Sequence, residues 1–200
     1  MVAQFVLATR NAHKAEELTR ILESFDLAVE LKLVSDFPGA PEVEETEDSF
    51  SGNALLKARA LCRFTGLPAI ADDSGICVDA LGGNPGVLSA RWSGATENVD
   101  TSNLELVLQQ TADVPEAKRG AQFVCAAVVV FPDGTELISQ GEMPGRILIA
   151  PQGKNGFGYD PIFVPVGFTK TTAEMTSAEK DSISHRGIAL RNLAEQLKGK

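Results

Sequence analysis

The chain has few cysteines, no long apolar run and no surplus of positive charge, and each shortage removes a class of function. Its three cysteines, Cys62, Cys77 and Cys125, are odd in number, widely spaced and set among apolar neighbours. They fit buried reduced thiols better than a disulfide framework or a zinc site. No apolar stretch approaches the roughly 20 residues of a membrane span, and the start passes directly into a strand-like segment, Ala3 to Ala8, without a basic region and cleavage site. The expectation is a cytoplasmic protein with no membrane partner. Acidic residues outnumber basic ones by 27 to 18, for a net charge of −9, which disfavours polymeric nucleic acid but leaves room for a small anion in a local basic pocket. Internal repeats and linker-like segments are also missing, so residues 1–200 read as one domain. What is present is ordinary globular material, 44% hydrophobic over 200 residues, enough for one sizeable core or two small lobes.

The stretch Ala71, Asp72, Asp73, Ser74, Gly75 organises the rest. Two adjacent carboxylates close the apolar run Pro68 to Ala71 and are followed by a hydroxyl and a glycine, which reads as a reactive strand end. Side chains on a strand alternate faces, so at most one of the two aspartates points into a given cleft, and a shared-proton dyad is disfavoured. Such carboxylates suit a hard divalent cation or the removal of a proton from an attacking water. The same residues also suit a polar turn in which Asp73 and Ser74 cap their own backbone.

In chain order, Gln4 to Thr9 reads as a strand and Asn11 to Phe25 as a helix, with Leu18, Ile21, Leu22 and Phe25 at helical spacing. The turn between them, Thr9, Arg10, Asn11, Ala12, His13, Lys14, places a hydroxyl, an amide and cations at a helix N-terminus, where backbone N–H groups and the dipole favour phosphate. It does not match the standard phosphate loop, and an Asn cap with solvated basic residues is the alternative. Ala28 to Val34 is a second strand, and Ser35 to Thr46 a loop; the acids from Glu42 to Asp48 are either solvated or within reach of a metal. Asp48 to Phe64 is a helix with Phe50, Ala54, Ala58, Leu61 and Cys62 on one face, stopped by Gly66 and Pro68. Ile76 to Ala80 is a short strand of its own. Asn103 to Leu108 is helical, Phe123 to Phe131 a buried strand, and Pro132-Asp133-Gly134 turns it into Thr135 to Gln140, with an extension through Gly145 to Ile149. Phe157, Gly158, Tyr159 and Asp160 precede a strand at Ile162 to Val164 and read either as a clamp, two aromatics on a flat ring with Asp160 at its edge, or as an anchored surface turn. Thr176 to Glu179 is a capping box for a short helix with Lys180, and Ser184, His185 and Arg186 open the last helix. His185 is either a structural hydrogen-bonder or, beside Arg186, a reader of carbonyl oxygens.

Taken together in this order, these motifs resemble the inosine triphosphate pyrophosphatase family: the Thr9 to Lys14 turn, Asn53 to Ala58, Ala71 to Gly75, Leu81 to Arg91, Phe157 to Pro161 and Ser184 to Gly187. The resemblance implies a mixed α/β sheet with flanking helices, two lobes around a central nucleotide-binding cleft, a homodimer, and hydrolysis of ITP, dITP and XTP to the monophosphate and pyrophosphate. Asp73 looks like the family's general base and metal-associated carboxylate, and Glu45 like the second magnesium acid. Ser74 looks like a substrate contact, and Thr9, Asn11, Lys14 and Lys57 like triphosphate-binding groups. Phe157, Gly158, Tyr159 and Asp160 look like the base clamp, completed by Lys180, His185 and Arg186. Two positions depart from the family pattern: Arg10 replaces a small residue, Gly or Ser, and Gly52 stands where many members carry an acid, which shifts part of the metal's ligation to Asp72 or water.

The implied chemistry needs no covalent intermediate. Mg2+ neutralises phosphate charge, and Asp73 orients or deprotonates a water attacking the alpha phosphorus. Donors such as His185 and Arg186 suit a 6-keto oxygen and would meet the amino group of adenine without an acceptor. Each such mismatch costs about 1–3 kcal/mol, roughly a five- to 150-fold preference. Two other readings share parts of this pattern: a house-cleaning pyrophosphatase for modified pyrimidine nucleotides, and a purine nucleotide sensor without turnover.

Overall fold

In the computed structural model, residues 3–25 and 29–198 are described. The strands are β1 (Ala3–Leu7), β2 (Val29–Leu33), β3 (Ala69–Val78), β4 (Gly120–Val130), β5 (Glu136–Ile147) and β6 (Phe163–Pro165). The helices are α1 (Ala12–Glu23), α2 (Phe50–Thr65), α3 (Val99–Gln110), α4 (Ser177–Ile183) and α5 (His185–Lys198). The strands form one sheet in the order β2-β1-β3-β4-β5-β6. β1 is parallel to β2 and β3, whereas β5 and β6 are antiparallel, so the sheet is mixed as expected. Of the second strand expected from Ala28, Ala28 itself lies outside the described residues.

Local chemistry sets the element ends. The Asn11 side chain accepts from Lys14 N at 3.1 Å and starts α1. Ser49 Oγ accepts from Gly52 N at 3.1 Å and starts α2, which Gly66 ends in the left-handed region at φ 71°, open to glycine at no steric cost. The capping box of α4 forms as its sequence predicts, Glu179 Oε2 accepting from Thr176 N at 2.8 Å. The Pro132-Asp133-Gly134 turn closes with Gly134 N donating to Phe131 O at 3.0 Å.

The chain divides into two compact units, Met1–Asp73 with Cys125–Gly141 and Arg186–Lys200, and Ser74–Val124 with Glu142–His185. In the first, the period-two alternation of the strands supplies two cores. Phe5, Leu7, Ile70, Cys125, Ala127 and Val129 pack with Leu18, Ile21 and Leu22 of α1 and Ala189, Leu190 and Leu193 of α5. Val6, Ala69, Ala71, Val128 and Val130 pack with Ala54, Ala58, Leu61 and Cys62 of α2. Neighbouring positions along one strand thus serve opposite faces. In the second unit, Ile76, Val78, Ala121, Phe123, Met143 and Ile147 pack with Leu104 and Val107 of α3 and with Tyr159, Ile162 and Phe163.

One expectation is corrected. The runs Pro68 to Ala71 and Ile76 to Ala80 are not separate strands with the aspartates at an end; Ala69–Val78 is one strand, and Asp72 and Asp73 lie inside it. Asp, Ser and Gly are poor strand formers, so the sequence reads them as a break. Here charge partners neutralise the carboxylates, and Gly75 is needed because a Cβ at that position would collide with the Gly86 carbonyl and Ser89 Oγ. The helix expected from Asn103 begins earlier, at Val99. Cys62 and Cys125 are buried and all three cysteines are free, as expected.

Candidate active site

Alternation along β3 sends its two carboxylates to different partners. Asp72, in register with Ile70, is 1% exposed; Lys14 Nζ of α1 lies 3.3 Å from its Oδ2, and Arg186 Nε of α5 donates to the same oxygen at 3.2 Å. Arg186 also donates through Nη1 to Glu17, a buried residue of α1. Burial would raise the Asp72 carboxyl, but Lys14, Arg186 and Lys57 together hold it well below the usual carboxylate range. It is a permanent anion and a weak base.

Asp73, in register with Ala69 and Ala71, faces α2. Its Oδ2 accepts from Asn53 Nδ2 at 3.2 Å, and Lys57 Nζ stands 3.9 Å from Oδ1. The same ammonium lies 2.7 Å from Glu45 Oε1. Burial raises the Asp73 carboxyl above its ordinary value of 3.8, outweighing the opposing pull of Lys57 and Lys14. Burial also works against the charge on Lys57, but Asp72, Asp73 and Glu45 outweigh it and hold the ammonium above its ordinary value. Two neighbouring carboxyls are therefore driven in opposite directions, the arrangement that separates a structural anion from a general base.

Three oxygen-bearing acids thus surround cationic nitrogen: Asp72 at Lys14, and Asp73 and Glu45 at Lys57. Glu45 and Asp73 converge on one point already held by an ammonium, and carboxylate oxygens are the donors a hard divalent cation takes. The donor set therefore fits the magnesium that the resemblance implies. In the turn expected to bind phosphate, Thr9 Oγ1 accepts from Asn11 N at 3.3 Å, and Arg10, Asn11, Ala12 and His13 are exposed at the start of α1.

The clamp residues belong to the second unit. Phe157 is half-buried, with Lys180 Nζ 5.0 Å from its ring centroid. Asp160 is buried and fully engaged: Oδ2 accepts from Lys180 Nζ at 2.7 Å and from Phe157 N at 2.9 Å, and Oδ1 accepts from Thr172 Oγ1 at 2.8 Å. Gly158, at φ 58°, donates its N–H to Asp100 Oδ2 at 3.0 Å. Tyr159 is a core residue, 5% exposed, whose hydroxyl donates to Ser89 O at 2.9 Å. His185 is also buried and stacks on Phe123, centroids 4.8 Å apart and planes 11° apart. Ser74 follows Asp73 directly and is half-buried.

Of the residues singled out from sequence, Lys14, Glu45, Lys57, Asp72 and Asp73 come together in the first unit, and Phe157, Asp160 and Lys180 in the second. Tyr159 and Arg186 have other occupations: Tyr159 anchors the core, and Arg186 neutralises Asp72 and Glu17. Two participants were given no role from the sequence, although Asn53 opens one of the family-like motifs. Asn53 holds Asp73, and its signal is an amide on the apolar face of α2, beside Ala54 and one turn before Lys57. Glu17 is a carboxylate next to Leu18 on the buried side of α1, three residues after Lys14.

Known proteins resemble this chain along nearly its whole length. A family model described as the Ham1 family matches residues 5–196. A Streptomyces avermitilis protein named dITP/XTP pyrophosphatase is 52% identical over 192 residues, covering 96% of each chain. A Frankia alni protein of the same name is 53% identical over 197 residues, again covering 96% of each. Among solved structures, a HAM1 protein from Coxiella burnetii superposes with a TM-score of 0.88 at 36% identity, covering 99% of this chain and 100% of that one. The nucleoside-triphosphatase, dITP/XTP pyrophosphatase, from Mycobacterium abscessus gives a TM-score of 0.77 at 51% identity, covering 95% and 97%. A match of this extent in sequence and in fold makes the chain a member of the Ham1 family.

Proposed function

We propose that this protein hydrolyses the non-canonical purine nucleotides ITP, dITP and XTP to monophosphate and pyrophosphate, removing them from the nucleotide pool. The observation that carries this reading is the opposed pair on β3, a permanently charged Asp72 and an Asp73 raised by burial next to Lys57 and Glu45. The relatives named dITP/XTP pyrophosphatase support the substrate class.

In this mechanism Lys14, Lys57 and the N-terminus of α1, with Thr9 and Asn11, hold the triphosphate. Asp73 accepts a proton from a water whose oxygen bonds to the alpha phosphorus, and the bond from that phosphorus to the bridging oxygen breaks, releasing pyrophosphate. Glu45 and Asp73 would hold Mg2+, which supplies charge neutralisation at the phosphates and a more acidic bound water. Asn53 orients Asp73, and Arg186 keeps Asp72 ionised instead of reading the base. The face of Phe157 is assigned to the purine ring, and Lys180 and His185 are the donors assigned to its keto oxygens; adenine offers an amino group there. We read residues 1–200 as a single domain, a reading supported by each unit being assembled from separate segments of the chain. We place the enzyme in the cytoplasm as a homodimer, in line with the family resemblance and with its nucleotide substrates; among the described residues no helix is long and apolar enough to cross a membrane.

Purified protein with magnesium is incubated separately with ITP, XTP, dITP, GTP, ATP and a modified pyrimidine nucleoside triphosphate. The expected products are monophosphate and pyrophosphate, confined largely to the first three. Diphosphate with orthophosphate, or binding without turnover, overturns the mechanism, and a preference for modified pyrimidines overturns the substrate assignment.

A further inference from the structure

The loop that carries Glu45 is tied to the site at both ends. At its far end Glu47 N donates to Asn53 Oδ1 at 2.9 Å, and the same Asn53 donates through Nδ2 to Asp73 Oδ2 at 3.2 Å. At its near end the guanidinium of Arg10 donates through Nη2 to Ala40 O at 2.8 Å, with Pro41 O at 3.5 Å. Residues 41–47 between these ties form no helix or strand, and they carry Glu42, Glu44, Glu45 and Glu47, four acids that repel one another. Position 10 lies directly before the cap of α1, so its backbone is held by the phosphate turn.

We propose that Arg10 is a positioning residue, a latch that fixes the root of the acidic loop to the phosphate turn and so delivers Glu45 to Lys57 and Asp73 in one place. This rests on the metal-binding role proposed for Glu45. The small residue that the resemblance leads one to expect at position 10 has no side chain (Gly) or only a short hydroxyl (Ser) to offer the loop carbonyls. Arginine has a permanent charge, a planar fork and enough reach to cross to residue 40, and its cation also offsets the repulsion among the loop's acids. Arg10, exposed at the turn, thus acts through the loop and need not touch the nucleotide.

The test is amide hydrogen exchange at Ala40 and Glu47, whose N–H groups donate to Phe37 O and Asn53 Oδ1, in the ligand-free full chain, for wild type, Arg10→Gly and Arg10→Lys, with thermal unfolding as a check on folding. Arg10→Gly is expected to exchange about five-fold faster there, equivalent to about 1 kcal/mol, while exchange in α1 and β3 stays as in wild type. Arg10→Lys, which keeps the charge but not the fork, is expected to restore part of the protection. In a magnesium titration of ITP hydrolysis, the half-saturating metal concentration should rise more than the KM for the nucleotide. Unchanged exchange in Arg10→Gly overturns the latch, and so does a rise in nucleotide KM without a change in metal requirement, which would make Arg10 a phosphate contact. If the wild type does not hydrolyse ITP at all, the proposed function fails, and the exchange result still decides the latch.

Discussion

The candidate residues of the first unit sit mainly on regular elements, whereas those of the second are split between a loop, Phe157 to Asp160, and the helix residues Lys180 and His185. Lys14, Glu17, Asn53, Lys57, Asp72, Asp73 and Arg186 project from α1, α2, β3 and α5, and all but the two lysines are buried. Phe157 to Asp160 lie between β5 and β6, where Gly156 and Gly158 take positive φ and a single carboxylate, Asp160, gathers Phe157 N, Lys180 and Thr172. The difference is consistent with the two tasks proposed for them. Proton transfer and charge neutralisation at phosphate tolerate little misplacement, so they are built on elements held by two cores. Recognition of a flat ring needs a face and a few donors, which a stapled loop supplies and can vary.

The sharpest way to break the comparison is Asp73→Asn. Turnover of ITP is expected to fall about 10²- to 10⁴-fold, the usual worth of a general base, with the midpoint of thermal unfolding close to wild type; full metal-dependent turnover would remove Asp73 from that role. In the wild type the acidic limb of the kcat/KM profile should titrate above the ordinary carboxyl value of 3.8, because burial raises Asp73 and the base works only when ionised. A limb at or below that value contradicts the assignment.

Arg186→Ala should act first on stability. It leaves Asp72 and Glu17 buried without their guanidinium, a loss of about 3–5 kcal/mol, read by denaturant unfolding. The sign with pH follows from the depressed carboxyl of Asp72. Its stabilisation is fully present above the unfolded pKa of about 3.9 and is lost as pH falls through the folded value, so wild type should lose stability in acid more steeply than Asp72→Asn.

On the loop, Asp160→Ala frees Phe157 N, Thr172 and the Lys180 ammonium together. It should cost about 2–3 kcal/mol and narrow the ratio of ITP to ATP turnover; an unchanged ratio would detach Asp160 from base selection. Tyr159→Phe is the smallest perturbation. It removes only the bond to Ser89 O, about 1 kcal/mol, and should leave the base preference as it was, since the ring belongs to the core. A collapse of that preference would return Tyr159 to the base-stacking role.

Most of the element order and the stretch where buried charges gather were legible in the residues. Helical spacing gave α1, α2 and α5, the capping box gave the start of α4, and the Asp72-Asp73 pair stood out as two adjacent carboxylates after an apolar run. Alternation also foretold that the two aspartates would face apart, and their separate partners bear this out. The continuity of β3 was not legible, because local propensity marks Asp, Ser and Gly as a break, while the partners that make them acceptable come from residues distant in sequence.

The sequence by itself determined the periodicity, the caps, the family and the residue types that phosphate chemistry needs, since these depend on neighbours along the chain. Tertiary structure alone decided which carboxylate became the permanent anion and which the raised one. That choice depends on burial and on cations brought from α1, α2 and α5, Arg186 lying 114 residues from Asp72. It also turned Tyr159 into a core anchor, Asn53 into the support of Asp73, and Arg10 into a donor to a loop 30 residues away. Side-chain chemistry is fixed by composition, but the electrostatic environment that assigns each group its role exists only once distant segments are packed together.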